Sequence, residues 1–411
     1  MRDLRCVVRW TAAVGGLLAA VCCWGCGESD RVELTYVVRP EVAELEAEYR
    51  KPILEALRHY FGTPSRPRYR VPDLDAEVEE GKPYPLIERI GADSLSRGRD
   101  VFQRRCAGCH GATGDGNGPA APHLFPRPRD YRRGLFKFTS TPYGAKPRRV
   151  DLIRTIRFGA KGTSMPSFRW LHDDDVEALV DYVVMLSSRG EVEYRLGVEA
   201  ADLDPEELPD VIPEVVSEVA GSWTEAESQA IIPLSPEPPM TEESILAGQQ
   251  IFQNKACKGC HKVDAAGGLL ANEQLLAKAS PDIFPPSIRP RFAELTRELM
   301  SPPLMREIAE HVEEGVLPDN VLDAWGEFAY AANLTSGMLH GGRRPIDIYR
   351  RIYTGVTGTP MPSFAQHELF TEDPDNFWHV VHFVIATTQG RVVPKPSGDG
   401  DGADDKRGES E

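Results

Sequence analysis

The chain has 411 residues, enough for two or three domains with cores of their own, and its composition (41% hydrophobic) is ordinary for a water-soluble protein apart from 34 prolines. A formal net charge of -16 argues against nucleic acid as a partner. Of the eight cysteines, four lie in the first 26 residues and four in two Cys-x-x-Cys pairs, so a chemical role for the pairs leaves none for a structural disulfide.

Residues 1–26 read as an export segment. Arg2, Arg5 and Arg9 precede an apolar run from Trp10 to about Trp24. That run is short for a spanning helix, which needs roughly 20 apolar residues. Gly25-Cys26-Gly27 resembles the cleavage site of bacterial lipoproteins, in which the cysteine becomes the lipidated first residue. Cys22 is a rival acceptor, and an uncleaved anchor is the alternative. Each version implies a periplasmic or otherwise extracytoplasmic protein, associated with a membrane through its N-terminus.

Residues 27–92 form an N-terminal extension. Val42, Leu45, Tyr49, Ile53, Leu54, Leu57 and Tyr60 recur at helical spacing and predict an amphipathic helix over Glu41–Tyr60. Pro52 is expected to kink or split it, and Gly62 and Pro64 to end it. Such a helix packs on the following domain or docks a partner.

Residues 93–190 are the first domain. Leu95, Gly98, Val101 and Phe102 predict a helix that leads into Cys106-Ala107-Gly108-Cys109-His110. Two cysteines three apart can bond covalently to the two vinyl groups of one haem, and a histidine directly after them can ligate its iron. A single copy also suits half of a zinc site or a redox dithiol. The copy at Cys257-Lys258-Gly259-Cys260-His261, again with its histidine, favours haem. Downstream of the first motif lies Gly162-Thr163-Ser164-Met165-Pro166-Ser167-Phe168, and downstream of the second lies Gly358-Thr359-Pro360-Met361-Pro362-Ser363-Phe364. Methionine more often fills gaps in a core. Here both sit in near-identical loops, which makes Met165 and Met361 candidate sixth ligands. Asp173 to Leu186, with Val176, Leu179, Val180 and Val183 apolar, predicts the domain's last helix.

Residues 191–243 carry 15 acidic residues against one basic residue, Arg195, and are proline-rich, which predicts an extended or disordered acidic linker with a short ordered piece at Val211–Val219. Residues 244–390 repeat the first domain. Leu95-x-x-Gly98-x-x-Val101-Phe102 matches Ile245-x-x-Gly248-x-x-Ile251-Phe252, Asp151–Ile156 resembles Asp347–Ile352, and Phe383 stands for Tyr182. An insertion at about 271–342, with helical patterns at Phe292–Met300 and Leu304–Val312, lengthens the second copy. It is a packed excursion or a cap. Residues 391–411 read as a disordered tail.

Together these features resemble the single-haem mitochondrial and bacterial cytochromes c, duplicated in tandem. The resemblance implies an all-α protein of two tandem cytochrome c-like domains holding two covalently bound haem c. Cys106, Cys109, Cys257 and Cys260 would attach the haems, and His110, Met165, His261 and Met361 would ligate the irons. It also implies a crossing of first and last helices at Gly98, Phe102 and Tyr182, and a carbonyl, that of Pro119, orienting His110. The function implied is electron transfer between extracytoplasmic respiratory partners, such as a quinol-oxidising complex, a terminal oxidase or a dehydrogenase. The alternatives are a dihaem peroxidase with one open iron and a cytochrome subunit fixed in a respiratory complex. His123, His172, His311, His340, His367, His379 and His382, with Met300, Met305 and Met338, are rival ligands by residue type alone. Arg104–Lys161 holds 13 Lys/Arg against 3 Asp/Glu. Arg127, Arg129, Arg148 and Arg149 are candidates to neutralise haem propionates, and the remainder, with Arg132 and Arg133, to face an acidic partner or the linker folded back.

Overall fold

A computed structural model describes residues 34–79, 82–124, 126–254, 257–261, 323–325, 331–332, 334 and 339–391. The export segment, most of the insertion with its two helical patterns, and residues 392–411 lie outside them. The described fold is all-α and cytochrome c-like. Its helices are α1 (Pro40–Ala43), α2 (Ala47–Phe61), α3 (Ala92–Arg105), α4 (Ala107–His110), α5 (Arg149–Phe158), α6 (Asp173–Glu199), α7 (Leu208–Ala226), α8 (Glu242–Asn254), α9 (Cys257–Cys260), α10 (Pro345–Thr354), α11 (Glu368–Glu372) and α12 (Asp375–Thr388). Two short antiparallel pairs accompany them, Gly62–Thr63 with Arg66–Pro67 and Arg70–Pro72 with Leu86–Glu88.

The helix expected over Glu41–Tyr60 is broken, but not at Pro52, which lies inside α2. The break falls at Glu44–Glu46, because tertiary contacts fix α1 separately. The Arg39 N–H donates to the Glu193 carboxylate at 3.1 Å, and Arg39 pairs with Glu41 at 2.8 Å. Gly62, at φ 72°, ends α2 as expected.

The first unit is built on the crossing of α3 and α6. At Gly98 the backbones come so close that a Cβ would collide with the Ala178 carbonyl and stand 2.9 Å from the Tyr182 Cβ. Phe102 and Tyr182 pack beside it with ring centroids 5.4 Å apart and planes at 58°. α8 and α12 cross in the same way. A Cβ at Gly248 would collide with the His379 carbonyl and stand 2.9 Å from the Phe383 Cβ, and Phe252 meets Phe383 at 5.1 Å and 55°. The helices before the methionine loops match as well. Asp151 accepts from the Arg148 N–H at 3.2 Å at the start of α5, and Asp347 from the Arg344 N–H at 3.3 Å at the start of α10.

The acidic stretch is not extended chain. α6 continues past Leu186 to Glu199, and α7 follows. Counting charges hides an apolar stripe. Val192, Leu196, Leu208, Ile212, Val215, Val216, Val219 and Trp223 are all buried in the core of the first unit. Some of the acids meet bases: Glu191 pairs with Lys146, Glu227 lies 3.7 Å from Arg148, and Glu193 pairs with Arg189 at 2.8 Å. Glu191 and Glu227 thus neutralise part of the basic stretch in place. Only the piece after α7 runs extended, and it straps the two units together. The Ile231 N–H donates to the Ser140 carbonyl at 2.7 Å, the Arg350 guanidinium donates to the Ile231 carbonyl at 3.2 Å, and the Trp378 indole donates to the Ser235 carbonyl at 2.9 Å. A partly buried ion pair, Arg154 with Asp347 at 2.6 Å, joins α5 to α10.

Candidate cofactor sites

α4 is a single helical turn that carries Ala107, Cys109 and His110 directly after Cys106. The His110 N–H bonds the Cys106 carbonyl at 2.9 Å, so both cysteines and the histidine are held on one turn. The turn at α9 holds Cys257, Cys260 and His261 alike, with the His261 N–H on the Cys257 carbonyl at 2.8 Å. All four thiols are free. Burial pushes the Cys106 thiol up to about 12 and the Cys257 thiol up to about 11. This burial disfavours, at Cys106 and Cys257, the thiolate that a zinc site or a redox dithiol would use.

Both imidazoles are oriented by a main-chain carbonyl. His110 Nδ1–H donates to the Arg129 carbonyl at 3.0 Å, and His261 Nδ1–H donates to the Ala332 carbonyl at 3.1 Å. These bonds fix the tautomer and leave the Nε2 lone pair free to ligate. Burial lowers the pKa of both rings and favours the neutral form that binds metal. The carbonyl expected from Pro119 is thus supplied ten residues later, by Arg129. In the second unit the acceptor comes from the C-terminal end of the insertion.

The two sites differ one step further on. Tyr131, two residues after Arg129, stacks on the His110 ring with centroids 4.9 Å apart and puts its hydroxyl 3.4 Å from Nε2. At the corresponding place after Ala332 stands buried Leu334. Sequence reasoning passed over Tyr131, because nothing in the sequence marks Arg129 as the acceptor beside it.

The methionine loops are duplicates in detail. The Met165 carbonyl accepts from the Ala160 N–H at 3.3 Å, and the Met361 carbonyl from the Val356 N–H at 3.2 Å. The Thr163 and Thr359 hydroxyls donate to the Ala160 and Val356 carbonyls at 2.7 and 2.8 Å. The Ser167 and Ser363 hydroxyls donate to the Arg157 and Tyr353 carbonyls at 2.6 and 2.7 Å. Gly159 and Gly355 sit at φ 69° and 72°, and a Cβ at either would stand 2.6 Å from the methionine carbonyl, so both positions require glycine. Met165 and Met361 are each half-buried.

Several rival ligands have other partners. His379 and His382 both bring Nδ1 to the Ser244 hydroxyl, at 2.8 and 2.7 Å, and His382 is fully buried. His367 Nδ1 accepts from the Leu369 N–H at 3.3 Å, and His340 Nδ1 donates to the Lys161 carbonyl. His172 caps α6 and His123 is exposed. His311, Met300, Met305 and Met338 lie outside the described residues. Of the arginines considered for propionates, Arg149 pairs with Glu177 and Asp181 at 2.8 and 2.6 Å, Arg148 lies 3.7 Å from Glu227, and Arg127 donates to Asn117 at 3.1 Å. Arg132 pairs with Asp130 at 2.9 Å.

The family described as "Cytochrome C oxidase, cbb3-type, subunit III" matches residues 93–183, the stretch that holds the first motif, the first methionine loop and the α3–α6 crossing. This stretch is a c-type cytochrome domain. Among solved structures, a chain of the Kuenenia stuttgartiensis reducing HAO-like protein complex is 23% identical, with a TM-score of 0.44, over 71% of this chain and 95% of that one. No curated protein matches.

Proposed function

We propose that this chain is a dihaem cytochrome c that passes electrons between extracytoplasmic redox proteins. The observation that carries the proposal is the duplicated methionine loop. Two loops 196 positions apart repeat the same hydrogen bonds around Met165 and Met361, each after a motif whose histidine is already oriented. Haem c, when bound, supplies an iron that gains and loses one electron. The chain does the rest. Cys106 and Cys109, and Cys257 and Cys260, form the thioether bonds. His110 and His261 ligate through Nε2, held by the Arg129 and Ala332 carbonyls. Met165 and Met361 provide soft, neutral sixth ligands, which raise the potential and leave no open position for a substrate.

Mass spectrometry of the denatured mature chain, produced in a host competent for cytochrome c maturation, is expected to show two covalent haem additions. One addition would reject the second site, and none would reject both.

The proposal places the protein outside the cytoplasm, lipid-anchored through Cys26. It rests on the basic and apolar character of residues 1–26 and on Gly25-Cys26-Gly27. Cys26→Ser is expected to move the protein from the membrane to the soluble fraction with both haems attached. A single acyl chain binds only marginally, so partial retention would point to further attachment, and full retention would refute Cys26 as the anchor.

A further inference from the structure

Trp325 touches both sites. The Arg129 guanidinium lies 3.6 Å from its ring centroid, and the carbonyl of the same arginine holds Nδ1 of His110. At the six-membered edge of the indole comes Gly358, in the loop of Met361. A Cβ there would stand 2.7 and 2.8 Å from Trp325 Cζ3 and Cη2, so only a bare backbone fits, and Gly358 has φ +74°. The contact is clamped on each side. The Ala324 N–H donates to the Gly358 carbonyl at 2.8 Å. Asp323 accepts from the Trp325 N–H at 2.9 Å with one oxygen and pairs with Lys137 of the first unit at 2.6 Å with the other. The Lys137 ammonium lies 5.1 Å from the indole centroid.

The choice of residue is informative. Among the described residues the buried indole N–H has no hydrogen-bond partner, and the side chain is held by its ring contacts with Arg129 and Gly358. A large polarisable ring stacked under a cation at one site, and pressed on the ligand loop of the other, gives a continuous packed path. It runs from the His110 acceptor through Arg129 and the indole to the backbone three residues before Met361. Electron tunnelling falls off with distance and faster across gaps than through packed atoms, so a ring filling this space shortens the effective separation.

We propose that Trp325 is the contact through which the two sites exchange electrons. The proposal rests on the dihaem function above. The exchange moves one electron, one site being oxidised as the other is reduced, with no proton or leaving group. Trp325 is the packed contact between the sites and is not a ligand at either. Neither motif nor either methionine loop contains it.

The test uses the full-length protein with both haems, reduced at one site by a short pulse and followed as the electron redistributes. Trp325→Ala is expected to slow redistribution severalfold. Trp325→Phe, which keeps a ring, is expected to slow it less. Arg154→Ala breaks the ion pair between α5 and α10 without touching this path and is expected to leave the rate unchanged. An unchanged rate in Trp325→Ala, with both potentials as in the parent, would overturn the proposal. So would an equal slowing in Arg154→Ala, which would mean that loosening of the units, not loss of the ring, sets the rate. If Trp325→Ala does not fold, Trp325→Phe and Trp325→Leu carry the same comparison, and equal rates in those two would overturn it. A parent protein carrying one haem by mass would instead refute the dihaem function, a failure visible before any rate is measured.

Discussion

Met165→Ala is expected to change the first site from one that resists carbon monoxide to one that binds it rapidly and stoichiometrically when reduced. On the proposed ligation a thioether would fill the sixth position in the parent, and an incoming ligand would have to displace it. Alanine cannot ligate, so the position opens, while the bonds to Cys106 and Cys109 are untouched. The near-infrared sulfur-to-iron band of that site should vanish, and its potential should fall, because a thioether raises the potential of a c-type haem. Met361→Ala should do the same at the second site, since the loop hydrogen bonds match to within a few tenths of an ångström. The parent, reduced and exposed to carbon monoxide, should show little change at either. Rapid stoichiometric binding by one site of the parent would mean that its methionine is not a ligand, and peroxidase or another ligand-binding activity would become the leading assignment for that unit.

The proposed ligand set was drawn from the sequence because covalent attachment would dictate spacing. Cys-x-x-Cys-His is short, and its second copy removes most of the ambiguity. The methionine loops were legible for the same reason, since glycine at positive φ and a threonine that bonds back to its own turn leave few alternatives. What was not legible depends on main chain or on tertiary contact. The acceptor for His110 is a carbonyl, which every residue possesses, so Arg129 carries no signature and Pro119 was chosen by analogy. The break near Glu44 depends on Glu193, far along the chain, reaching the Arg39 N–H. The helices over residues 191–199 and 208–226 were foreseen only as a short ordered piece at Val211–Val219, for a different cause. Summed charge drew attention away from Val192, Leu196, Leu208, Ile212, Val215 and Val219, whose spacing is helical and whose burial offsets the exposed acids.

Gly248→Ala is expected to destabilise the second unit selectively. On an isolated helix the change would gain about 1 kcal/mol, because alanine is the better helix former. At this crossing the added methyl group would collide with the His379 carbonyl, and backbone cannot rotate away as a side chain can. Overpacking of this sort costs about 1–3 kcal/mol or more, so the net effect should be a loss, with α8 and α12 forced apart around Phe252 and Phe383. Thermal unfolding followed at the haem absorption of each unit should show the second melting earlier and the first near its parent temperature. Gly98→Ala should reverse the order. A rise in melting temperature for either variant would mean that the helices do not approach as closely as described.

The length of α6 decides what counts as a separable piece of this protein. The cytochrome family match stops at residue 183, yet the helix runs on to Glu199 without a break, and its last turns carry α1 and the N-terminal extension. A Cβ at Gly197 would come within 3.0 Å of the Glu41 carbonyl, so these parts are in intimate contact. An expression fragment trimmed at the family boundary would therefore be cut mid-helix, with Val192 and Leu196 gone and their partners exposed to water. The smallest fragment worth preparing for the first unit starts before Tyr36 and ends after Ala226. The extension and the acidic helices share one buried core with the cytochrome helices, so removing any of them uncovers the others.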